Sequence, residues 1–253
     1  MRYLGNKASI VCEIDNFLAN CGLTGRGYVF FDAFCGTGSV AEYFKNKYSI
    51  IINDIMKWAV VYTQGKISAP VCTFNKLGFD PFDFFNSNNN IRHDFIYNNY
   101  APTSTSRMYF TPENAERIDY FRWQIEEWKK SQLISSEEYY FLLACLIESV
   151  SSVSNTAGVY GAYLKKWDSR ALKKIRFSKV NFSGEPCKSL FTYNSKIENI
   201  IENVDCDILY LDPTYTQNQY GTQYHLLETL ILNDNPTLSK VTGSRSTASL
   251  RSD

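Results

Sequence analysis

Tyr28-Val29-Phe30-Phe31-Asp32-Ala33-Phe34-Cys35-Gly36-Thr37-Gly38-Ser39 is the stretch on which the fold turns. A run of β-formers ends in an acid, a glycine turn follows, and a helix-compatible segment continues from Ser39 to Asn46. Unbroken apolar residues without polar alternation predict a strand buried on both faces. Ser49-Ile50-Ile51-Ile52 repeats the pattern and ends at Asn53-Asp54, and Asp207-Ile208-Leu209-Tyr210-Leu211-Asp212 repeats it far downstream. Strand, glycine turn, helix and strand, with acids where the strands end, predict a parallel α/β sheet.

Working outward, Ile10, Val11, Ile14, Phe17, Leu18 and Cys21 fall at helical spacing ahead of the first strand. The pattern changes after about Cys72. Phe79 to Thr111 is aromatic and Asn-rich without a clean period, and reads as loop. A helix is expected from Pro112 to Lys130, capped by Thr111, with Ala115, Ile118, Phe121, Ile125 and Trp128 on one face. A second is expected from about Ser136 to Val150, with Ser135 and Glu138 at its start. Tyr224 to Leu232 reads as the helix after the last strand. The expected organisation is an α/β core from 1–75 and 177–253, interrupted by a mostly helical insertion over 76–176.

The 253 residues balance 26 Lys and Arg against 26 Asp and Glu, which excludes a uniformly basic nucleic-acid coat protein. No apolar run approaches the ~20 residues of a membrane span, and the first residues lack the apolar stretch of a signal peptide. The seven cysteines are odd in number, scattered and never in a C-x-x-C pair, so reduced thiols in a cytoplasmic protein are expected, with no metal site. His93 and His225, the only histidines, belong to no metal-like cluster.

Taken alone, the glycine turn is ambiguous. Gly36-Thr37-Gly38-Ser39-Val40-Ala41 fits the G-x-G-x-x-A form of a dinucleotide fingerprint, and Asp54 lies where a ribose-binding acid usually stands. A nicotinamide or flavin oxidoreductase fits it, and so does a plain strand-to-helix turn. Other residues decide. Arg2-Tyr3-Leu4-Gly5-Asn6-Lys7 near the start, the glycine turn, and Leu211-Asp212-Pro213-Thr214-Tyr215 followed by Gln219-Tyr220 and Tyr224 to Leu230 occur in this order. The ordered set resembles the Dam-like, D12 class of N6-adenine-specific DNA methyltransferases, which carry Y-x-G-x-K, F-x-G-x-G and D-P-P-Y elements.

The resemblance implies a Rossmann-like sheet that binds S-adenosylmethionine, with the inserted region reading the DNA target. It implies that Tyr3, Lys7, Asp32, Phe34, Gly36 and Gly38 hold the methionine part of the cofactor, Lys7 facing its carboxylate, and that Asp54 accepts the ribose hydroxyls. Asp212 and the Pro213 carbonyl would accept the hydrogens of the adenine amine, and Tyr215 would stack on the base after its extrusion from the duplex. Cys35 is expected to be a packing residue. A restriction endonuclease counterpart is the usual setting for such an enzyme.

Three departures from the family pattern stand out. Thr214 replaces the second proline of D-P-P-Y, which frees the acceptor loop. No acid stands in Tyr193-Asn194-Ser195-Lys196, before the last strand, where the family commonly has one. The family continues with further strands and helices, whereas about 40 residues follow the motif here, ending in a small, polar stretch. Truncation, or a partner supplying the rest, is expected.

Charge is concentrated in one segment. Lys165, Lys166, Arg170, Lys173, Lys174, Arg176 and Lys179 stand against Asp168 alone, a local charge of +6 on a neutral chain. Such a strip suits the phosphates of double-stranded DNA; a solvated helix face is the alternative. Asn155 to Gly161 reads as a flexible loop able to approach the duplex. Transfer to cytosine N4 or to RNA, and a non-catalytic DNA-binding relative, are the competing functions.

Overall fold

The computed structural model describes residues 7–25, 27–213 and 220–245. Its centre is a four-stranded, all-parallel sheet of order β3-β2-β1-β4, made of β1 (Val29–Asp32), β2 (Ser49–Asn53), β3 (Leu190–Tyr193) and β4 (Ile208–Tyr210). Phe31 stands opposite Ile51 on one side and Leu209 on the other. Because side chains alternate along a strand, Phe30, Ile50, Ile52 and Ile208 share one face with α1 (Val11–Asn20) and α2 (Ser39–Phe44). There the Phe30 ring stacks on Phe44 at 4.9 Å. Phe31, Ala33 and Ile51 share the other face with Ile197, Ile200, Ile201 and Val204. Among the described residues β4 is an edge strand, and its Leu209 and the following Leu211 are exposed.

Between β2 and β3 the chain is helical: α3 (Lys57–Ser68), α4 (Pro81–Ser87), α5 (Phe95–Tyr100), α6 (Pro112–Lys130) and α7 (Ser136–Ser152). The two long helices begin as expected. The Thr111 hydroxyl accepts from the Asn114 N–H, and Ser135 and Glu138 form a reciprocal capping box. The expectation of loop over Phe79 to Thr111 is corrected by α4 and α5. Asp80 accepts from the N–H groups of Phe82 and Asp83 to start α4, and Asp119, on α6, accepts from those of Asp94, Ile96 and Tyr97 to hold α5.

One apolar cluster runs through α3, α6, α7 and α9 (His225–Leu232), so the helices of the inserted stretch and those flanking the sheet share a core. At the α3–α7 contact Gly65 is pressed so closely that an added Cβ would lie 2.3 Å from the Tyr140 carbonyl oxygen. After α9, Arg107 donates to the carbonyls of Asn99, Ser239 and Lys240, while Tyr100 and Tyr109 donate to those of Gly243 and Thr242. Residues 239–245 are thereby pinned against the helical layer. All seven cysteines are free thiols, and no described helix is long and apolar enough to cross a membrane.

Candidate active site

Parallel strands bring their carboxyl ends to one side of the sheet, and three acids meet there. Asp32 closes β1, Asp54 follows β2, and Asp212 follows β4 by two residues. Asp32 is buried, and its Oδ1 has no hydrogen-bond partner among the described residues. Burial pushes its carboxyl up to about 7, with the charge of Asp54 adding to the rise and the N–H groups of Phe34 and Ala41 opposing it. Desolvation likewise pushes Asp54 to about 6.

The glycine turn is fixed to this edge by the strands beside it. Asp54 accepts from the N–H of Gly36 at 3.1 Å and from that of Met56 at 2.9 Å. The Asn53 amide donates to the carbonyls of Ala33 and Ser195, both at 3.1 Å, and accepts from the Ser195 N–H. It thus ties together the ends of β1, β2 and β3. Gly36 and Gly38 have φ of 50° and 71°, in the left-handed region that favours glycine. Gly38 has a second constraint: Thr63 of α3 stands where its Cβ would be, 2.5 Å from the methyl carbon. The Thr63 hydroxyl donates to the Gly36 carbonyl at 3.2 Å. Cys35 is buried within the turn, and burial holds its thiol well above the usual range, in keeping with a packing residue. Phe34 is half-buried against the sheet.

Lys7, expected at the carboxylate of a cofactor, pairs with Asp212: its Nζ lies 3.1 Å from Oδ1, both side chains being mostly buried. Lys7 and Asp212, far apart in the chain, therefore meet at the strand ends. Pro213 adjoins this pair, while Tyr3, Thr214, Tyr215 and Gln219 lie outside the described residues. Where an acid was sought after the third strand, Asn194 donates to the carbonyls of Asp54 and Ile55.

Sequence reasoning passed over Glu228. It sits buried on α9, and its two oxygens accept from the N–H groups of Lys57 and Trp58 at 3.0 and 2.9 Å, capping α3 from 170 residues away. Its signal was an acid inside an otherwise apolar helix, between Leu226-Leu227 and Leu230-Ile231. His225 is buried between Tyr100 and Tyr109, and burial lowers its pKa to about 4, so it packs as a neutral ring.

The basic segment is neither a helix nor a loose tether. Asn114 of α6 donates to the carbonyls of Ala171 and Lys173 and accepts from the Ile175 N–H. Lys165, Lys166, Lys173, Lys174 and Arg176 are exposed. Arg170 is half-buried and doubly bonded to Asp168, at 2.9 and 3.2 Å. The expected flexible loop over Asn155 to Gly161 is corrected: Asn155, Thr156 and Tyr160 are buried, and Asn155 donates to the Met108 and Leu164 carbonyls. The Tyr160 N–H donates to the Gln223 carbonyl at 2.7 Å. That bond seats the segment on α8 (Tyr220–Gln223), just after the catalytic motif. Among the described residues no group of three His, Cys, Asp or Glu side chains could hold a metal ion.

Residues 3–253 match the family described as D12 class N6 adenine-specific DNA methyltransferase. The chain is 40% identical to modification methylase LlaI of Lactococcus lactis subsp. lactis, over 97% of the chain and 40% of that protein. It is 39% identical to type II methyltransferase M.FokI of Planomicrobium okeanokoites, over 97% of the chain and 39% of the relative. With type II methyltransferase M.NlaIII of Neisseria lactamica the identity is 37%, over 97% of the chain and 73% of the relative. The chain thus spans about two fifths of the length of the first two relatives.

Proposed function

Because this chain belongs to the D12 class N6 adenine-specific DNA methyltransferases, we propose that it transfers a methyl group from S-adenosylmethionine to N6 of an adenine extruded from double-stranded DNA. Its relatives are named modification methylase and type II methyltransferase, and we assign this chain to the modification arm of a restriction–modification pair with an endonuclease counterpart. The observation that carries the reading is the cluster of Asp32, Asp54 and Asp212 at the strand ends, with Asp32 Oδ1 unbonded among the described residues. Lys7 is engaged with Asp212, and a ligand bearing an ammonium and a sulfonium adds positive charge beside Asp32 and Asp54. Asp32, the turn at Phe34, Gly36 and Gly38, and Tyr3 hold its methionine end, and Asp54 accepts from its ribose. When bound, it supplies a methyl group activated by positive sulfur.

The chain's own residues do the rest. The adenine amine is a poor nucleophile, because its lone pair is delocalised into the ring. Asp212 and the Pro213 carbonyl accept its hydrogens, favour a more tetrahedral nitrogen and free the lone pair. Lys7 fixes the Asp212 carboxylate, which takes the proton the amine sheds. Tyr215 stacks on the flipped base. Lys165, Lys166, Lys173, Lys174 and Arg176 bind phosphates, and Arg170 braces their segment through Asp168. We assign 1–75 and 177–253 to the catalytic core and 76–176 to target recognition.

The test is methyl transfer to unmodified plasmid DNA, read by mass spectrometry of the digested nucleosides. N6-methyladenine is expected, and its loss in Asp212→Ala with cofactor binding retained. N4-methylcytosine would move the target to cytosine. No product, together with no calorimetric binding of S-adenosylmethionine, would overturn the assignment.

A further inference from the structure

Met56, which precedes α3, makes no side-chain cap, yet the helix carries the residue that shapes the glycine turn. Thr63, on its second turn, bonds the Gly36 carbonyl and fills the space beside Gly38. Its N-terminus is fixed at two points. Asp54, which also holds the Gly36 N–H, accepts from Met56, and Glu228 accepts from Lys57 and Trp58. Glu228 rides on α9, which with α8 is the first described structure after the catalytic motif. Helix α9 is itself clamped at both ends. Arg122 of α6 donates to the Leu230 and Ile231 carbonyls at its C-terminus, and near its start Tyr224 packs on Trp58 with ring centroids 5.2 Å apart.

We infer that Glu228 is a positioning residue for methyl transfer, holding the glycine turn in register with the segment anchored behind Asp212, by way of α3 and Thr63. The inference rests on the methyltransferase reading above. A carboxylate suits the task, because both oxygens accept from N–H groups at the positive end of a helix dipole. An amide offers one acceptor and turns an N–H₂ against the second donor. A small shift of α3 moves Thr63, and with it the backbone that faces the cofactor, where misplacement by about 1 Å costs about 100-fold in rate.

Glu228→Gln in the full chain, with Ser135→Ala as a control that removes the local cap of α7 and touches neither the α3 N-terminus nor the glycine turn, provides the test. Amide hydrogen exchange without any ligand is measured first. Glu228→Gln is expected to speed exchange at Gly36 and Gly38 about tenfold relative to wild type, while Ser135→Ala leaves them unchanged. With S-adenosylmethionine and DNA, Glu228→Gln is expected to lower kcat/KM for the cofactor about tenfold or more, again unlike the control. Thr63→Val, which leaves the α3 cap intact, is expected to reproduce the effect, and the double variant to be little worse than either single one. Should Glu228→Gln lower only the melting temperature, with the glycine amides and kcat/KM within twofold of wild type, Glu228 is a structural cap and the inference fails. Because the exchange experiment needs no cofactor, its result is separable from a failure of the methyltransferase reading itself.

Discussion

A carboxyl that lies buried beside two others, with one oxygen unbonded among the described residues, is closer to neutral than water would make it, and Asp32 is such a group. The consequence has a definite sign. Its folded-state pKa, about 7, lies above the unfolded 3.8. Asp32 therefore takes up a proton on folding, and its contribution to stability is full below about pH 4 and lost as pH rises through about 7. Asp54, at about 6, acts in the same direction. A cationic ligand reverses the preference, since it favours the ionised acids. Binding of S-adenosylmethionine should therefore tighten between about pH 6 and about pH 7, with net proton release. Calorimetry in buffers of different ionisation enthalpy measures that proton directly. Asp32→Asn should weaken binding and shrink the release. Affinity that is flat across this range would place the ligand's positive charge away from Asp32.

At the scale of elements, the close approach of α3 and α7 makes a sharp prediction. A Cβ on Gly65 would meet the Tyr140 carbonyl at 2.3 Å and the Ala144 Cβ at 2.7 Å, and backbone cannot swing aside as a side-chain tip does. Although alanine is the better helix former by about 1 kcal/mol, overpacking costs about 1–3 kcal/mol, so Gly65→Ala should lower the urea midpoint. A variant as stable as wild type would show that the helices can part without cost. Helix α3 also shows where sequence reading stops. It is buried nearly all round, from Trp58 through Tyr62 to Ile67, and so lacks the apolar stripe that announces a surface helix. Helices α6 and α7 were legible to the residue at their starts because Thr111-Pro112 and Ser135 to Glu138 are local signals. The Asp80-Pro81 pair that opens α4 was a signal of the same kind, obscured by the aromatic and Asn-rich residues around it. By contrast the caps of α3 and α5 come from Glu228 and Asp119, which only the folded chain brings to them. The site divides in the same way. Acids at strand ends are readable once the strands are, whereas the pairing of Lys7 with Asp212 joins residues far apart in the chain and has no local trace.

For the molecule as a whole, the question is how a neutral chain finds a polyanion. The +6 between Tyr163 and Val180 is balanced elsewhere in the chain, so the proposed attraction is a property of this segment and not of the net charge. The segment is also rigidly presented. Asn114 grips its backbone, Asn155 anchors its beginning, and Tyr160 seats it on the helix behind the catalytic motif. Within the segment, exposed Lys173 and Lys174 differ from Arg170, which Asp168 already engages. Two effects can then be told apart. Lys173→Glu with Lys174→Glu removes phosphate contacts and should weaken DNA binding on every sequence, flattening the slope of log K against log salt by about 2, since each phosphate neutralised contributes about 0.9. Arg170→Ala removes the guanidinium that bonds both Asp168 oxygens at a half-buried position, while the backbone N–H of residue 170 still donates to Oδ1. It should loosen the segment and lower discrimination between target and non-target DNA, with a smaller change in salt slope. Fluorescence anisotropy across a salt series, on duplexes with and without the methylated site, separates the two. If the paired lysine reversal leaves the slope unchanged, the strip is a solvated face and the duplex approaches from another side.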